Sequence, residues 1–577
     1  MEPRQRAPHL TVSEPHRPSR LPTRRQFAKL LAGLGIGSAV FQRALAIQIT
    51  GLAIVTPEMI RQAEWVAGMT LKEEDRKALV NATNQSVRSY QALRAVHLPN
   101  DVPLALTFHP DCGPVGSKNP ERVSCEIASQ PAPQRPVNGD GLAFLPVSAL
   151  AALIRTRQVS SMELTKLYLE RLRKYDPVLH CVVTLTGDLA LAQARLADRE
   201  IAAGLYRGPL HGIPWGAKDL IACPGYPTTW GAAPFKQQKL DNKATVLRRL
   251  AEAGAVLVAK LTLGALAMGD HWFGGITRNP WNPKQGSSGS SAGSASAVVA
   301  GLVGFALGSE TLGSIVSPCR RCGASGLRPT FGRVSRHGCM TLAWSMDKIG
   351  PIARSVEDCA LVLHAIHGAD GLDASAVDRP FAWPPRCELP SLKVGYVERK
   401  TPAKDRRELA VLRDLGVQLL PIKLPEKYPV SALQVILTAE ASTAFDELCR
   451  QGVTEGLNEW PHIFQQGQFI PAVAYLRANR IRTLLMREME ELFSRVDIYV
   501  GGDDLLITNL TGHPTVVLPN GFRTVGAVEV PGSITLTGKL YGETELLAVA
   551  HAYQRATGFH LRHPVMEKLT PENAASK

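Results

Sequence analysis

The chain has 577 residues, of which 45% are hydrophobic and 20% are charged. This composition excludes wholesale disorder and allows a sizeable buried core. The net charge is +14, but the first 46 residues supply +6 of it, and no Lys/Arg block interleaved with aromatic residues follows. We therefore expect a basic surface and no nucleic-acid partner.

The first 46 residues have the pattern of a twin-arginine export signal. Arg24 and Arg25 precede an apolar run from Leu30 to Phe41, and Ala44 and Ala46 form a small-residue cleavage signal. The run of 12 residues is too short to span a bilayer. The alternative is a basic amphipathic helix. We predict a periplasmic or otherwise exported protein without a membrane span after the signal is removed.

Two short motifs do not predict a cofactor or metal site. The glycines at 33, 35 and 37 lack the preceding strand that a nucleotide-binding loop requires. Cys319 and Cys322 form a single CxxC without a partner motif, so we interpret them as incidental. The ten cysteines of an exported chain permit disulfides, but the sequence does not assign any.

Residues 47–141 are predicted to form a helical extension and a Pro-rich linker. Thr56 is expected to cap a first helix that has Pro57 at its first position. Thr70 and Glu73 have the spacing of a capping box for a second helix. The prolines then cluster between residues 111 and 141, which is typical of a surface segment.

The main body alternates between helical and strand patterns. A capping box at Ser160 and Glu163 opens an amphipathic helix, and short apolar strands such as "HCVVTLT" and "AVLVAKL" follow. This order predicts an α/β fold with a mixed, mostly parallel central sheet that helices cover on both faces. We expect one large domain over residues 142–565 and a tail over residues 566–577.

The stretch "GSSGSSAGSASAVVAG" begins like a flexible linker and ends like a buried segment. It contains G-x-S-x-G, which would make Ser291 the nucleophile of an α/β-hydrolase elbow. An elbow requires an apolar strand just before the serine, whereas "RNPWNPKQGSS" is polar and broken by prolines. We therefore rank this interpretation below a second serine motif.

The second motif is "GSETLGSIVSP", in which Ser314 follows Gly313. Successive backbone N–H groups in such a turn can bind an oxyanion. A serine needs a base, and Lys218 ends the buried-looking strand of "GIPWGAKDL". A lysine in an apolar site has a lowered pKa and can accept a proton.

Together these motifs resemble the amidase signature family. The segments that show the resemblance are "GSSAGSASAVVAGLVGFALGSETLGSI", "GASGLRPTFGRVSRHG" and the upstream "RGPLHGIPWGAKD". Further matches are "SMDKIGPIARSVEDCALVL" and "NLTGHPTVVLPNG". The resemblance covers roughly residues 142 to 562. It implies one amidase-signature domain with a Ser-cisSer-Lys triad, and this region is also similar to the amidase component of tRNA-dependent amidotransferases.

The resemblance assigns a role to each site residue. Ser314 is the implied nucleophile, Ser290 is the implied proton relay on a cis peptide, and Lys218 is the implied base. The backbone N–H groups of Thr311, Leu312 and Gly313 are expected to form the oxyanion hole. The chain departs from the family pattern next to these residues, at Glu310, Leu312 and Val316.

The predicted function is cleavage of a carboxamide by an exported serine amidohydrolase that acts on linear amides through an acyl-enzyme. The predicted partner is a small-molecule amide, and no metal or cofactor is expected. Two alternatives remain: the amidase component of an amidotransferase, which works with tRNA and partner chains, and a binding protein on an impaired amidase scaffold. The sequence leaves the substrate and the oligomeric state open.

Overall fold

The computed structural model describes residues 55–98, 105–106, 133–399, 401–502, 504–526 and 528–569. The predicted export signal, residues 1–46, lies outside the described residues, as does most of the predicted linker. The chain divides into two compact units, residues 1–84 and residues 85–577. The domain boundaries drawn from the sequence stay predictions.

In the first unit, helix α1 (Pro57–Ala67) begins as the sequence predicts. The Oγ1 atom of Thr56 accepts the N–H of Met59 at 3.3 Å, and Pro57 occupies the first position of the helix. The helix ends at Gly68, which has a left-handed φ of 65°.

The second helix, α2 (Glu73–Ala95), extends from the first unit into the second. It begins at Glu73, so the predicted capping box is wrong: Thr70 lies too far ahead of the first turn to cap it. The preceding turn is held by Glu64 instead. Its carboxylate accepts the N–H of Leu71 at 3.1 Å and forms an ion pair with Arg76.

The remaining described α-helices belong to the second unit. They are α3 (Gly139–Ala143), α4 (Val147–Arg155), α5 (Ser161–Leu179), α6 (Gly187–Ala202), α7 (Thr245–Glu252), α8 (Ala292–Val299), α9 (Val316–Cys322), α10 (Val356–Ile366), α11 (Arg407–Asp414), α12 (Val435–Ala444), α13 (Asp446–Arg450), α14 (Trp460–Gly467), α15 (Ala472–Arg495), α16 (Leu505–Thr511) and α17 (Glu543–Thr557).

The described strands are also in the second unit. They are β1 (Val182–Leu185), β2 (Pro214–Lys218), β3 (Val256–Leu261), β4 (His271–Trp272), β5 (Gly275–Ile276), β6 (Arg278–Asn279), β7 (Asn282–Gly286), β8 (Phe305–Glu310), β9 (Ser325–Arg328), β10 (Lys348–Ala353), β11 (Lys393–Val397), β12 (Gln418–Ile422), β13 (Ile498–Val500), β14 (Thr515–Val525) and β15 (Val528–Gly538).

In the described part of the chain, eleven strands form one central sheet in the order β1-β3-β2-β8-β10-β9-β14-β15-β13-β11-β12. The predicted mixed sheet is confirmed. Parallel pairs form two blocks, β3-β2-β8 and β13-β11-β12, and the pairs from β8 to β13 are antiparallel. The parallel pairs follow the helix–strand alternation, whereas β14 and β15 are consecutive strands and pair directly.

Helices cover both faces of the sheet, as predicted. Successive residues of a strand point to opposite faces. On β3, Val256 and Val258 therefore pack into the core that contains α8 and α9, whereas Leu257 packs into the core that contains α7, α10 and α17. These two apolar layers bury the central strands on both sides.

Most local predictions in the main body are confirmed. Ser160 Oγ accepts the N–H of Glu163 at 2.9 Å and caps α5. The strands expected around residues 182–185, 214–218 and 256–261 form β1, β2 and β3. The eight cysteines of the described residues have free thiols. Within the same residues, the structure contains no helix of the length and hydropathy needed to cross a bilayer.

Candidate active site

The candidate site begins where two parallel strands end. Lys218 is the last residue of β2, and Ser309 is the last but one of β8. The strands pair in parallel, with Ala217 opposite Leu307, so their carboxyl ends lie side by side. Both strands are buried along their whole length. The sheet therefore places the lysine amine beside the Ser309 side chain.

The Lys218 amine is surrounded by serine oxygens. Its Nζ lies 2.8 Å from Ser290 Oγ, 3.1 Å from Ser291 Oγ and 2.9 Å from Ser309 Oγ. The carbonyl oxygen of Ser309 is also near, at 3.4 Å. No carboxylate is among these contacts, so the amine is solvated by hydroxyl groups and one carbonyl alone.

Burial changes the protonation of this amine. Lys218 is fully buried, and burial lowers its pKa to about 7, although the negative charges of Asp347 and Glu310 oppose the shift. An ordinary lysine is protonated at neutral pH, whereas this lowered pKa makes the neutral amine accessible at neutral pH. A neutral amine has a lone pair that can accept a proton.

The Gly/Ser segment lies against Lys218 and the Ser314 turn. The Gly289–Ser290 peptide bond is cis, as the resemblance implied. The N–H of Ser291 donates to the carbonyl oxygen of Ser314 at 3.0 Å, which joins the two serine motifs through the backbone. Helix α8 begins immediately afterwards, at Ala292.

The segment before Ser291 does contain a short strand, β7, although its polar sequence led us to expect none. In the described residues, β7 pairs with β6 in a separate two-stranded sheet. Ser291 Oγ donates to the carbonyl oxygen of Ser309 and accepts its N–H, each at 3.1 Å. Ser291 thus does not follow a strand of the central sheet, and its hydroxyl is held by β8.

Ser314 lies in the turn between β8 and α9 and is 9% exposed. Gly313 has a φ of 82°, a left-handed conformation that favours glycine. Within the described residues, the N–H groups of the three predicted oxyanion donors, Thr311, Leu312 and Gly313, and that of Ser314 donate to no protein acceptor. The turn therefore presents free N–H groups beside the Ser314 hydroxyl.

Glu310 holds the Ser314 turn through hydrogen bonds to its backbone. Its Oε2 accepts the N–H groups of Ile315 and Val316 at 2.8 and 3.0 Å, and its Oε1 binds Arg328 at 2.7 Å and Asn509 at 2.8 Å. Burial acts to raise the pKa of Glu310, but the Arg328 charge and these hydrogen bonds outweigh burial and hold the pKa at about 2. The carboxylate is therefore charged at every ordinary pH.

Asp347 also holds the Ser314 turn. Its Oδ1 accepts the hydroxyl of Thr311 at 2.5 Å, and its Oδ2 accepts the N–H groups of Leu342 and Ala343 at 2.8 and 2.9 Å. Burial raises the pKa of Asp347. Two buried acidic side chains thus hold the Ser314 turn through hydrogen bonds.

The three departures from the family pattern lie on this turn. Glu310 is buried and anchors it, as described above. Val316 is the buried first residue of α9, and its N–H binds that carboxylate. The side chain of Leu312 is half-buried.

The structure brings Lys218 and Ser290 into contact, joins the Ser314 turn to Ser291 through a backbone hydrogen bond, and adds residues that the sequence did not indicate. Ser309, five residues before Ser314, has a recognisable signal, because it is the polar residue at the end of an apolar strand. Arg328 and Asn509 could not have been chosen, because only the folded sheet brings them to Glu310.

Comparison with known proteins places this site in a family. The model of the family described as Amidase matches residues 163–501. Over 484 residues the chain is 36% identical to the A subunit of the glutamyl-tRNA(Gln) amidotransferase of Chloroflexus aurantiacus, and the match covers 73% of this chain and 99% of that protein. The corresponding protein of Moorella thermoacetica is 34% identical, again over 73% of this chain and 99% of that protein.

Solved structures agree with the sequence comparison. The native peptide amidase from Stenotrophomonas maltophilia is similar with a TM-score of 0.63 and 28% identity, over 73% of this chain and 98% of that chain. A peptide amidase bound to the competitive inhibitor chymostatin is similar with a TM-score of 0.64 and 28% identity, over 74% of this chain and 100% of that chain. The family match spans more than half of the sequence, so the resemblance drawn from the motifs is confirmed. The chain belongs to the amidase family, whose members are the amidase-signature enzymes.

Proposed function

We propose that this protein cleaves carboxamides through an acyl-enzyme on Ser314. The observation that carries the proposal is the buried Lys218 amine, 2.8 Å from Ser290 Oγ and with a pKa of about 7. In this reaction Ser314 Oγ attacks the carbonyl carbon and forms the C–O bond. Its proton passes to Ser290, and the Ser290 proton passes to Lys218.

The hydrogen bonds around Lys218 favour this direction of proton transfer. A neutral amine has two N–H donors and one lone pair. The hydroxyl of Ser291 already donates to the Ser309 carbonyl, so its oxygen is an acceptor for Lys218. Ser309 Oγ accepts the other N–H. The lone pair is left for the hydroxyl proton of Ser290.

The remaining steps use the Ser314 turn. The N–H groups of Thr311, Leu312 and Gly313, together with that of Ser314, are the donors available to the oxyanion, and the Thr311 hydroxyl holds the turn through Asp347. When the C–N bond breaks, Ser290 returns a proton to the leaving amine. Water then attacks the acyl-enzyme, and Ser314 regains its proton as the carboxylic acid leaves. Lys218 ends the cycle neutral.

We propose export as the setting of this reaction, on the basis of residues 1–46. A second candidate is the amidase component of an amidotransferase, and the sequence relatives favour it, since the amidotransferase proteins reach 36% identity. In that case the amide nitrogen would be used with glutamyl-tRNA and partner chains. Amide hydrolysis by the purified chain alone favours the first candidate, whereas dependence on partner chains favours the second.

The experiment that tests the acyl-enzyme is labelling with a fluorophosphonate, followed by digestion and mass spectrometry. We expect the label on Ser314, with labelling lost in Ser314→Ala and reduced in Ser290→Ala. Ser291→Ala should lower the labelling rate only modestly, because this hydroxyl orients Lys218 without accepting the acyl group. Label on Ser291 would overturn the assignment.

A further inference from the structure

A cleft of about 890 Å³ opens beside the candidate active site. Six large apolar side chains that line it are between 36% and 61% exposed: Leu106, Trp344, Leu372, Val377, Met486 and Leu540. Apolar side chains gathered in this way on a concave surface indicate a binding site. We call this feature the apolar cleft.

The apolar cleft borders the catalytic elements on two sides. Asp347 lines the cleft, and it also binds the hydroxyl of Thr311 in the Ser314 turn. Met340 lines the cleft as well, and its N–H donates at 3.0 Å to the carbonyl oxygen of Leu220, two residues after Lys218. The wall of the cleft is therefore bonded directly to the Ser314 turn and to the segment that follows Lys218.

The charged side chains of the cleft wall already have protein partners. Arg336 Nε binds Asp373 at 2.9 Å. Arg482 donates to Ser345 Oγ at 2.8 Å, and that hydroxyl donates to Glu440 at 2.6 Å. Asp347 accepts the Thr311 hydroxyl and two backbone N–H groups. A charged ligand would lose its hydration and compete with these existing partners, so the wall favours an uncharged ligand.

We propose that the apolar cleft binds an uncharged alkyl or aryl substituent of the amide substrate. This inference rests on the proposed function, because it assigns the cleft to the acyl-transfer reaction at Ser314. The volume is that of a site for a drug-sized molecule. Trp344 and Leu372 provide the apolar wall, and the substrate class is that of uncharged amides with a bulky apolar group.

The test compares two series of substrates with the full-length protein. One series runs from acetamide through butanamide and hexanamide to octanamide, and the other contains N-alkyl acetamides of the same chain lengths. In one of these series kcat/KM should rise roughly three- to fourfold with each buried methylene group. A terminal carboxylate on the same chain should cancel the gain.

Two leucine variants provide a matched pair. Leu372→Ala truncates a side chain of the apolar cleft, whereas Leu561→Ala truncates a comparably exposed leucine that does not line it. We expect Leu372→Ala and Trp344→Ala each to reduce the ratio of kcat/KM for octanamide to kcat/KM for acetamide by about tenfold, or the corresponding ratio in the N-alkyl series. A tenfold change is the effect of losing roughly two buried methylene groups. Leu561→Ala should leave that ratio unchanged.

The outcomes separate the cleft from the proposed function. If the fluorophosphonate labels Ser314 but kcat/KM does not change with chain length in either series, the cleft assignment is overturned and the acyl-enzyme stands. If no label or turnover is found, the acyl-enzyme fails, and the cleft is tested by calorimetric binding of octanamide and N-octylacetamide to Ser314→Ala. The cleft assignment is overturned if neither amide binds to Ser314→Ala. It is also overturned if adding Trp344→Ala to Ser314→Ala leaves binding unaltered, or if the protein forms dimers that bury Trp344.

Discussion

Lys218 Nζ lies 2.8 Å from Ser290 Oγ, although 72 positions separate the two residues in the chain. The amine is fully buried, and burial lowers its pKa to about 7. The contact depends on β2 ending at Lys218 and on the turn that presents Ser290 before α8. A hydroxyl next to a neutral amine is the arrangement that general-base catalysis requires.

The first prediction concerns pH. The folded pKa of Lys218 is lowered to about 7, so protonation as the pH falls through this value removes the lone pair. We expect the rate of fluorophosphonate labelling of Ser314 to rise with pH and to reach half its maximum near this pKa. Labelling rates between about pH 5 and about pH 9 measure the profile. A rate without pH dependence in this range would remove Lys218 from the role of base.

The second prediction concerns the identity of the base. Lys218→Ala should reduce turnover by roughly 10³-fold or more, because removing a member of a catalytic unit disables the whole unit. Lys218→Arg should not restore turnover, since a guanidinium stays protonated. Steady-state kinetics measure the loss, and circular dichroism establishes that each variant folds. Near-normal turnover of a folded Lys218→Ala would contradict the mechanism.

The third prediction separates positioning from packing. Ser309→Ala removes an oxygen 2.9 Å from Lys218 Nζ, and this oxygen stabilises the protonated amine. The acid limb of the pH–rate profile should therefore move to lower pH, and kcat should fall about tenfold as the amine loses its orientation.

Ser294→Ala is the matched control for this variant. Ser294 is also a buried serine, and its hydroxyl donates to the Leu307 carbonyl at 2.9 Å without contacting Lys218. The profile of Ser294→Ala should keep the midpoint of the wild-type protein. Equal midpoints in Ser309→Ala and Ser294→Ala would reduce Ser309 to a packing role.

The fourth prediction concerns the Glu310–Arg328 ion pair, which is fully buried on both sides. Glu310→Gln leaves the Arg328 charge without its partner, so we expect a loss of about 3–5 kcal/mol in the free energy of unfolding at neutral pH. Glu529→Gln, in the exposed pair with Arg562, should cost about 1 kcal/mol or less. Urea unfolding measures both values.

The loss of unfolding free energy in Glu310→Gln should depend on pH in a definite direction. The pKa of Glu310 falls from an ordinary 4.5 to about 2 on folding. Its contribution to stability is therefore complete above pH 4.5 and is lost as the pH falls towards 2. The difference in the free energy of unfolding between wild type and Glu310→Gln should therefore decrease as the pH falls from 4.5 towards 2. A constant difference would show that the carboxylate is not charged in the folded protein.

The fifth prediction concerns export. Replacing Arg24 and Arg25 together with lysine should leave unprocessed precursor in the cytoplasm, whereas replacing Arg17 and Arg20 should not. Cell fractionation followed by N-terminal sequencing measures the result, and the mature protein should begin at Ile47. Equal amounts of exported protein from both double variants would refute the signal.

Local patterns were sufficient for much of the fold. The caps at Thr56 and Ser160 were predicted because a cap is a contact between residues three positions apart. The capping box at Thr70 failed because Glu64, an acceptor from the preceding helix, binds the turn instead. The antiparallel pairing of β14 with β15 was not predicted, because no local pattern specifies which strands pair.

The sequence by itself determined which residues are the candidates: local patterns indicated Lys218 and Ser314, and the resemblance of the motifs to the amidase signature family added Ser290. Only the tertiary structure decided their environment. The burial that lowers the Lys218 pKa, the hydroxyl of Ser309 beside it and the Arg328 charge under the turn all come from contacts between distant segments. A pKa depends on every neighbour in space, so the chemistry of these residues is settled by packing, which the order of amino acids does not display.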